Sequence, residues 1–351
     1  MLRLDFYESG VGETIVITFP SGGIGVVDAH PSPTGSRPDI IELLRGKRVH
    51  FVCLTHPHAD HGKDLERIFR AEIKVESFWH TMSELKPFFY GFTETKSFPG
   101  PLKDFVNRFR ADWANFLVSL FHAAQTEFNV PLHQLRADLE IAELDGVEIS
   151  FLSPEESVQQ EFTAAYRRMV KGERATRPDP NRLSAILALR YQGRVVLLGA
   201  DALQENWKTA AARHRKRGFP KADLLKVPHH GAKNAFLPNP PVLDANYLDL
   251  TAKNGRSVLF AGDSDHPAPN VYERLCRHTE VSCLSNGLFS TSADRDPLGL
   301  AYIGARAVTV GSAICNPAVS YEIGDDGELR QVAGTPCAEC PVARAYEERE
   351  E

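Results

Sequence analysis

The run Thr55-His56-Pro57-His58-Ala59-Asp60-His61-Gly62 constrains this chain more than any other stretch. Three histidines and an aspartate crowd together directly after Arg48–Leu54, a mostly apolar segment that reads as a buried strand. His56 and His58 sit at alternate positions, so an extended backbone projects both to one side. Asp60 and His61 then fall where helical spacing begins, His61 to Phe69, and face back toward the same space. That spacing supplies two pairs of ligands for two neighbouring metal ions. The plain alternative is a solvated loop that happens to be histidine-rich.

The surrounding pattern is one of hairpins interrupted by helices. Thr14–Phe19 and Ile24–Val27 read as strands joined by the turn Pro20-Ser21-Gly22-Gly23, with Asp28 ending the second. Asp39–Leu44 reads as a short helix. Leu139–Leu144 and Val147–Leu152 flank Asp145-Gly146, a strong hairpin signal. Ser153-Pro154-Glu155-Glu156 has the form of a capping box with proline at the first helical position, opening a helix to about Lys171. Ala185–Tyr191 and Arg194–Leu198 form another strand pair, and Asp223–Val227, Ser257–Ala261, Val281–Leu284 and Ala307–Val310 read as further strands. This order predicts an α/β fold of two sheets covered by helices, an αββα sandwich. From about 78 to 137 aromatic residues accumulate, and Phe105, Phe109, Trp113, Phe116, Leu117, Leu120 and Phe121 recur at helical spacing. This stretch is expected to be a helical insertion that covers the core, or else a cap over the site or an interface for a protein partner or a second copy. Residues 316–351, rich in Gly, Pro and charge, read as a loosely held C-terminal tail after a main domain spanning 1–315.

Composition narrows the class. Hydrophobic residues make up 42% and charged residues 25%, the balance of a soluble globular protein. The net charge of −6 is not that of a chain that coats nucleic acid non-specifically, although a locally basic groove is compatible with it. No apolar run approaches the ~20 residues that cross a bilayer, and Met1–Asp5 does not begin a secretory signal, so no membrane contact and a cytoplasmic address are expected. Six cysteines do not make a disulfide scaffold. Cys53 reads as a buried core thiol, while Cys337 and Cys340 have the spacing of half a zinc knuckle without a matching second pair.

The His56–His61 run resembles the signature of the metallo-β-lactamase superfamily, His-x-His-x-Asp-His. Asp28 resembles that superfamily's first motif, an aspartate supporting the ligand loop. Leu197-Leu198-Gly199-Ala200-Asp201 resembles the motif carrying a bridging aspartate, and Leu225-Lys226-Val227-Pro228-His229-His230-Gly231 the last ligand motif. Gly10–Ile15, Asn181–Ser184, His229–Gly231 and Asp265-His266-Pro267 look like motifs of one branch, the nuclease-like domain of ComEC-type DNA-uptake competence proteins and their soluble relatives. The chain departs from the wider superfamily in having no histidine between His133 and His214, where a ligand usually lies; Asn181 to Ser184 stands there instead. One metal site is therefore expected to be short of a ligand, with His30 a weak candidate to compensate.

The resemblance implies a hydrolase with two divalent ions, Zn²⁺ or Mn²⁺, which mixed His and Asp donors suit. His56 and His58 are assigned to one ion, Asp60 and His61 to the other, and Asp201 to the bridge. His229 is expected to be the final ligand because it ends a strand, and His230 to face substrate. Asp60 would also orient the attacking hydroxide, and His266 would contact a scissile phosphate. Asp28, His30, Asn181, Ser184 and Lys226 are expected in the supporting shell or against substrate. Two ions about 3.5–4 Å apart clamp the attacking and leaving oxygens of a displacement. The expected activity is that of a phosphodiesterase, a nuclease acting on DNA, with RNA second. Basic stretches at Arg167, Arg168, Lys171, Arg174 and Arg177, and at Arg213–Arg217 with Lys221, would hold phosphates; a solvated face balanced by Glu156, Glu161 and Glu173 is the alternative. Two other classes compete: a small-molecule hydrolase acting on a lactone, thioester or cyclic nucleotide, and a binding or scaffold protein on a relict site.

Overall fold

A computed structural model of the chain describes residues 1–10, 12–32, 35, 37–82, 111–170, 178–236, 246–260, 266–284 and 316–334. Strands dominate, and because strand side chains alternate between faces, each sheet has two surfaces to bury. The first sheet contains β1 (Leu2–Tyr7), β2 (Ile15–Thr18), β3 (Ile24–Val27), β4 (Val49–Leu54), β5 (Phe78–His80), β6 (Leu132–Gln134), β14 (Ala318–Ile323) and β15 (Leu329–Ala333). Its order is β15-β14-β1-β2-β3-β4-β5-β6. The second contains β7 (Glu140–Leu144), β8 (Val147–Ser153), β9 (Ile186–Tyr191), β10 (Arg194–Leu198), β11 (Ala222–Lys226), β12 (Thr251–Phe260) and β13 (Glu280–Leu284), in the order β13-β12-β11-β10-β9-β8-β7.

Period-2 burial sorts the side chains into three apolar layers. Leu4, Phe6, Ile17, Phe51 and Cys53 meet Phe151, Leu187, Leu189, Val196, Leu198 and Phe260 between the sheets. On the outer face of the first sheet, Val52 and Leu54 meet α2 (Ala59–Arg70) through Leu65, Ile68 and Phe69, and α3 (Ala111–His122) through Leu117, Leu120 and Phe121; α1 (Ile40–Leu44) lies on the same side. On the outer face of the second sheet, Val195, Leu197 and Leu225 meet α5 (Gln204–Lys216) through Trp207 and Ala210, and α6 (Pro269–His278) through Val271 and Leu275. The result is the four-layer αββα sandwich that the strand order predicted. Each buried Leu, Ile or Phe stabilises it by roughly 1.5–3 kcal/mol against exposure.

The hairpin at Asp145-Gly146 forms as expected, with φ of 52° and 80°, the positive pair a type I′ turn requires. Cys53 is a free, buried thiol. Three expectations fail for physical reasons. First, the loosely held tail is in part sheet: β14 pairs antiparallel with β1, and Val319, Tyr321 and Ile323 enter the core between the sheets. Its alternation is short, and its partner β1 lies at the opposite end of the chain. Second, the insertion expected over 78–137 begins and ends in β5 and β6, which continue the first sheet in parallel register. Third, Ser153 does not cap a helix. It closes β8 and its hydroxyl accepts from Asn206 Nδ2 (2.8 Å), while α4 (Glu156–Val170) starts later. The described part of the aromatic helix covers the core with its apolar face. Phe105 and Phe109, the strand expected at 307–310, Cys337, Cys340 and the basic residues Lys171, Arg174 and Arg177 lie outside the described residues.

Two runs of parallel strands bring the chemically distinctive loops together. β3, β4 and β5 run parallel in one sheet and β10, β11 and β12 in the other, so the C-terminal ends of both sets open at one edge of the sandwich. Among the described residues no helix is long and apolar enough to cross a membrane.

Candidate metal centre

Asp28 leaves β3 in a left-handed conformation (φ 52°) that turns its carboxylate toward the end of β4. There Oδ1 accepts from the Thr55 amide (2.8 Å), and Oδ2 accepts from Thr55 Oγ1 (2.7 Å) and from His61 Nδ1 (2.7 Å). With its Nδ1–H held by a carboxylate, His61 presents Nε2 inward, the arrangement that orients metal-ligating histidines. His58 is the residue before α2 and its ring makes no capping bond, so it stays available to the site. Gly62, the next helical residue after His61, has no room for a side chain, because a Cβ there would lie 2.5 Å from the Phe116 ring of α3. The aromatic helix thus presses on the ligand helix directly behind its histidine.

Asp201 enters from the second sheet, after β10, through Ala200 at φ 44°. Its two oxygens face different partners. Oδ1 lies 3.6 Å from His61 Nε2 and 3.9 Å from His230 Nε2, whereas Oδ2 lies 3.8 Å from His56 Nε2 and 3.9 Å from His229 Nε2. Two groups of donors result, each with its ligand atoms within 4.8 Å of one another: Glu13, His61, Asp201 and His230 in one, and His56, His58 and Asp201 in the other. His56 Nε2 and His58 Nδ1 are 3.1 Å apart, close to the ~3.3 Å edge that two nitrogens on one tetrahedral ion would span. His61 Nε2 and Asp201 Oδ1 are buried and make no hydrogen bond among the described residues. Buried polar atoms are nearly always bonded, so convergent orphans of this chemistry fit a divalent ion.

The protonation balance agrees for His56, His58, His229 and His230 but not for His61. Burial pushes His56 well below the ordinary imidazole range, helped by His61 and His58, and burial lowers His58, His229 and His230 as well. Neutral imidazole is the ligating form. Burial pulls His61 down too, but the carboxylates of Asp28 and Asp201 outweigh it and hold this ring well above its usual value. Burial would raise Asp201; His61 and His230 instead hold it well below the usual carboxylate range.

The paired histidines depart from expectation. His229, His230 and Gly231 all have positive φ (46°, 52° and 78°), a strained turn after β11 that points the two rings to opposite sides of Asp201. The buried ring of His230, not that of His229, joins Glu13 and His61, and its Nδ1 lies 3.2 Å from the Phe260 carbonyl. His229 is more open and lies 3.3 Å from Asn181 Nδ2, with the His266 ring 5.5 Å away. Asn181 sits in the short helical turn Pro180–Leu183, and Ser184 ends that turn with its hydroxyl buried. Ala185 N donates to the Thr55 carbonyl (3.0 Å), tying this turn to the ligand loop across the sandwich. Asp60 is one-third exposed, its Oδ2 3.9 Å from His61 Nε2, and it belongs to neither close group. His30 belongs to neither group; its Nδ1 is held by the carbonyls of Ser9 (2.8 Å) and Pro31 (3.2 Å), which makes it a brace for Ser9.

Glu13 was missed. Its signal was present in the pattern: a charged residue opening an apolar strand, and a second charged residue, Lys226, in phase with core-facing Leu224. Lys226 is fully buried, ion-pairs with Glu13 and donates to the Ala200 carbonyl (2.8 Å).

Of the expected basic stretches, Arg213 is ion-paired, with Asp138 (3.1 Å) and Glu155 (3.0 Å). Glu161 and Glu156, expected to balance the first stretch, pair with arginines outside it: Glu161 with Arg182, which also meets Glu205, and Glu156 with Arg136 (3.3 Å).

Fold and site together define an αββα sandwich with a buried histidine–carboxylate cluster at its strand ends. Among solved structures the chain is similar to the metallo-β-lactamase fold protein YhfI from Bacillus subtilis, at 10% identity over 82% of this chain and 98% of that one, with a TM-score of 0.41. It is similar to Zn²⁺-bound PqqB from Methylobacterium extorquens, at 12% identity over 81% of this chain and 98% of that one (TM-score 0.42). It is similar also to the CmlA β-hydroxylase E377D mutant, at 14% identity and a TM-score of 0.40, covering 76% of this chain and 46% of that one, less than half of its length. No protein-family model and no curated protein matches the chain.

Proposed function

We propose that this protein is a metal-dependent phosphodiesterase, a nuclease acting on DNA or, second, RNA. The observation that carries the reading is the placement of Asp201, whose two oxygens face two separate donor groups. That is the geometry of a carboxylate shared by two ions. A pair of Zn²⁺ or Mn²⁺ ions would supply an acidified water and neutralise charge on the displaced oxygen. The chain's own residues would do the rest. Asp60, partly exposed at the rim beside His61, would orient the attacking water and take its proton. Asn181, His229 and His266 form a polar wall beside the His56–His58 half, suited to hold phosphate oxygens. Asp28 and Thr55 keep the ligand loop in register. The likeness to the competence branch supports nucleic acid as the substrate.

The test is metal content by mass spectrometry, paired with cleavage of plasmid and of single-stranded DNA and RNA under Mn²⁺, Mg²⁺ and Zn²⁺. Two ions per chain, and cleavage abolished in Asp60→Ala, would establish it. Intact nucleic acid under every metal would refute it. A small-molecule hydrolase is the second reading. It is favoured by the ion-paired state of Arg182, the neighbour of Asn181, which leaves one cation fewer beside the site for a polyanion. Ester or thioester turnover with nucleic acid untouched would select it.

A further inference from the structure

Glu13 and Lys226 lie on opposite sheets. Glu13 precedes β2 in the first sheet; Lys226 ends β11 in the second. Both are completely buried. Oε1 of Glu13 meets the Lys226 ammonium, while Oε2 is buried and makes no hydrogen bond among the described residues. A carboxylate oxygen of Glu13 lies within 4.8 Å of ligand atoms of His61, Asp201 and His230. Leaving such an oxygen unmatched in the interior is costly unless a cation occupies the space beside it.

The backbone is built to bring it there. A Cβ on Gly12 would lie 2.2 Å from the Asp60 carbonyl and 2.5 Å from the His30 side chain, so only glycine lets the chain pass so close to the ligand helix. Lys226 also donates to the Ala200 carbonyl, one residue before Asp201, and its ammonium lies 5.7 Å from the Phe260 ring centre. One ammonium therefore spans the loop that carries Glu13 and the loop that carries Asp201.

We infer that Glu13 is a metal-facing carboxylate of the His61–Asp201–His230 half of the site, and that Lys226 is the positioning residue that aims it. The inference rests on the two-ion reading of the site but not on its substrate. It makes that half an inner, carboxylate-rich position, distinct from the His56–His58 half.

Cobalt and manganese titrations, followed by calorimetry and by the visible spectrum of bound Co²⁺, test it without any substrate. The wild type is expected to take two ions. Glu13→Gln is expected to keep one ion at wild-type affinity and to weaken the other at least tenfold. Glu13→Asp keeps the charge pair with Lys226 but is one methylene shorter, and should weaken the same ion alone. Lys226→Met should change that ion's affinity and spectrum while sparing the other, and His56→Ala should show the reverse selectivity. The double variant Glu13→Gln/Lys226→Met removes both buried charges and so separates a lost ligand from a stranded ammonium. Two ions at wild-type affinity in Glu13→Asp and in the double variant would make Glu13 merely a counterion of Lys226 and overturn the inference. A wild type that takes no ion would overturn it together with the two-ion reading, whereas two ions without nuclease activity would leave it standing.

Discussion

The Asp28 carboxylate accepts a hydrogen bond from His61 Nδ1 at 2.7 Å, and through it the first sheet dictates which nitrogen of His61 faces Asp201. Asp28→Asn keeps the left-handed turn, which asparagine tolerates, but puts an amide where His61 and Thr55 need an acceptor. Metal affinity should fall about 10–100-fold. Competition with a chelator of known affinity measures this; unchanged affinity would show that the tautomer is set elsewhere.

Asp201 is the one residue that both donor groups share. Asp201→Asn should therefore lower the binding of both ions, whereas His230→Ala should affect one. Ion counts per chain after gel filtration distinguish the two cases. Selective loss of a single ion in Asp201→Asn would contradict the shared carboxylate.

Gly12→Ala is expected to be destabilising despite its small size, because the new methyl would collide with the Asp60 carbonyl at 2.2 Å. Overpacking of this kind costs about 1–3 kcal/mol. A urea midpoint unchanged from wild type would mean that the loop yields freely.

His80 provides a pH dependence away from the metal ligands. Burial lowers its pKa from 6.5 to about 4. Between those values the unfolded chain binds the proton and the folded chain does not, so stability rises with pH through this window and is lost as pH falls. The full effect is about 3 kcal/mol at one pKa unit per 1.36 kcal/mol. Urea midpoints measured from pH 4 to 7 should show this slope in wild type and a shallower one in His80→Phe. Parallel slopes would place the pH dependence elsewhere.

How much of this was legible depended on the range of the contacts. The convergence of His56, His58 and His61 could be read directly, because strand and helix periodicities act within a few residues; Asp60, read from the same spacing, stays at the rim. The apolar runs of β4, β9 and β10 and the Asp145-Gly146 turn are local for the same reason, and they sufficed for the αββα class. The pairing of β14 with β1 was not legible, since a short strand at one end of the chain reveals its partner only when the sheet closes. Nor was the placement of His229 and His230: position along a strand singled out the first, whereas three consecutive left-handed residues set His230 beside Glu13 and His61 and leave His229 beside Asn181. Glu13 and Lys226 are each a charge in an apolar segment, and only the face-to-face stacking of two sheets showed that each answers the other. Local periodicity made His56, His58 and His61 legible as candidate donors. Long-range packing decided which donors converge with them, Glu13 among these, because the distances are set by the layers between the sheets and not by spacing along the chain.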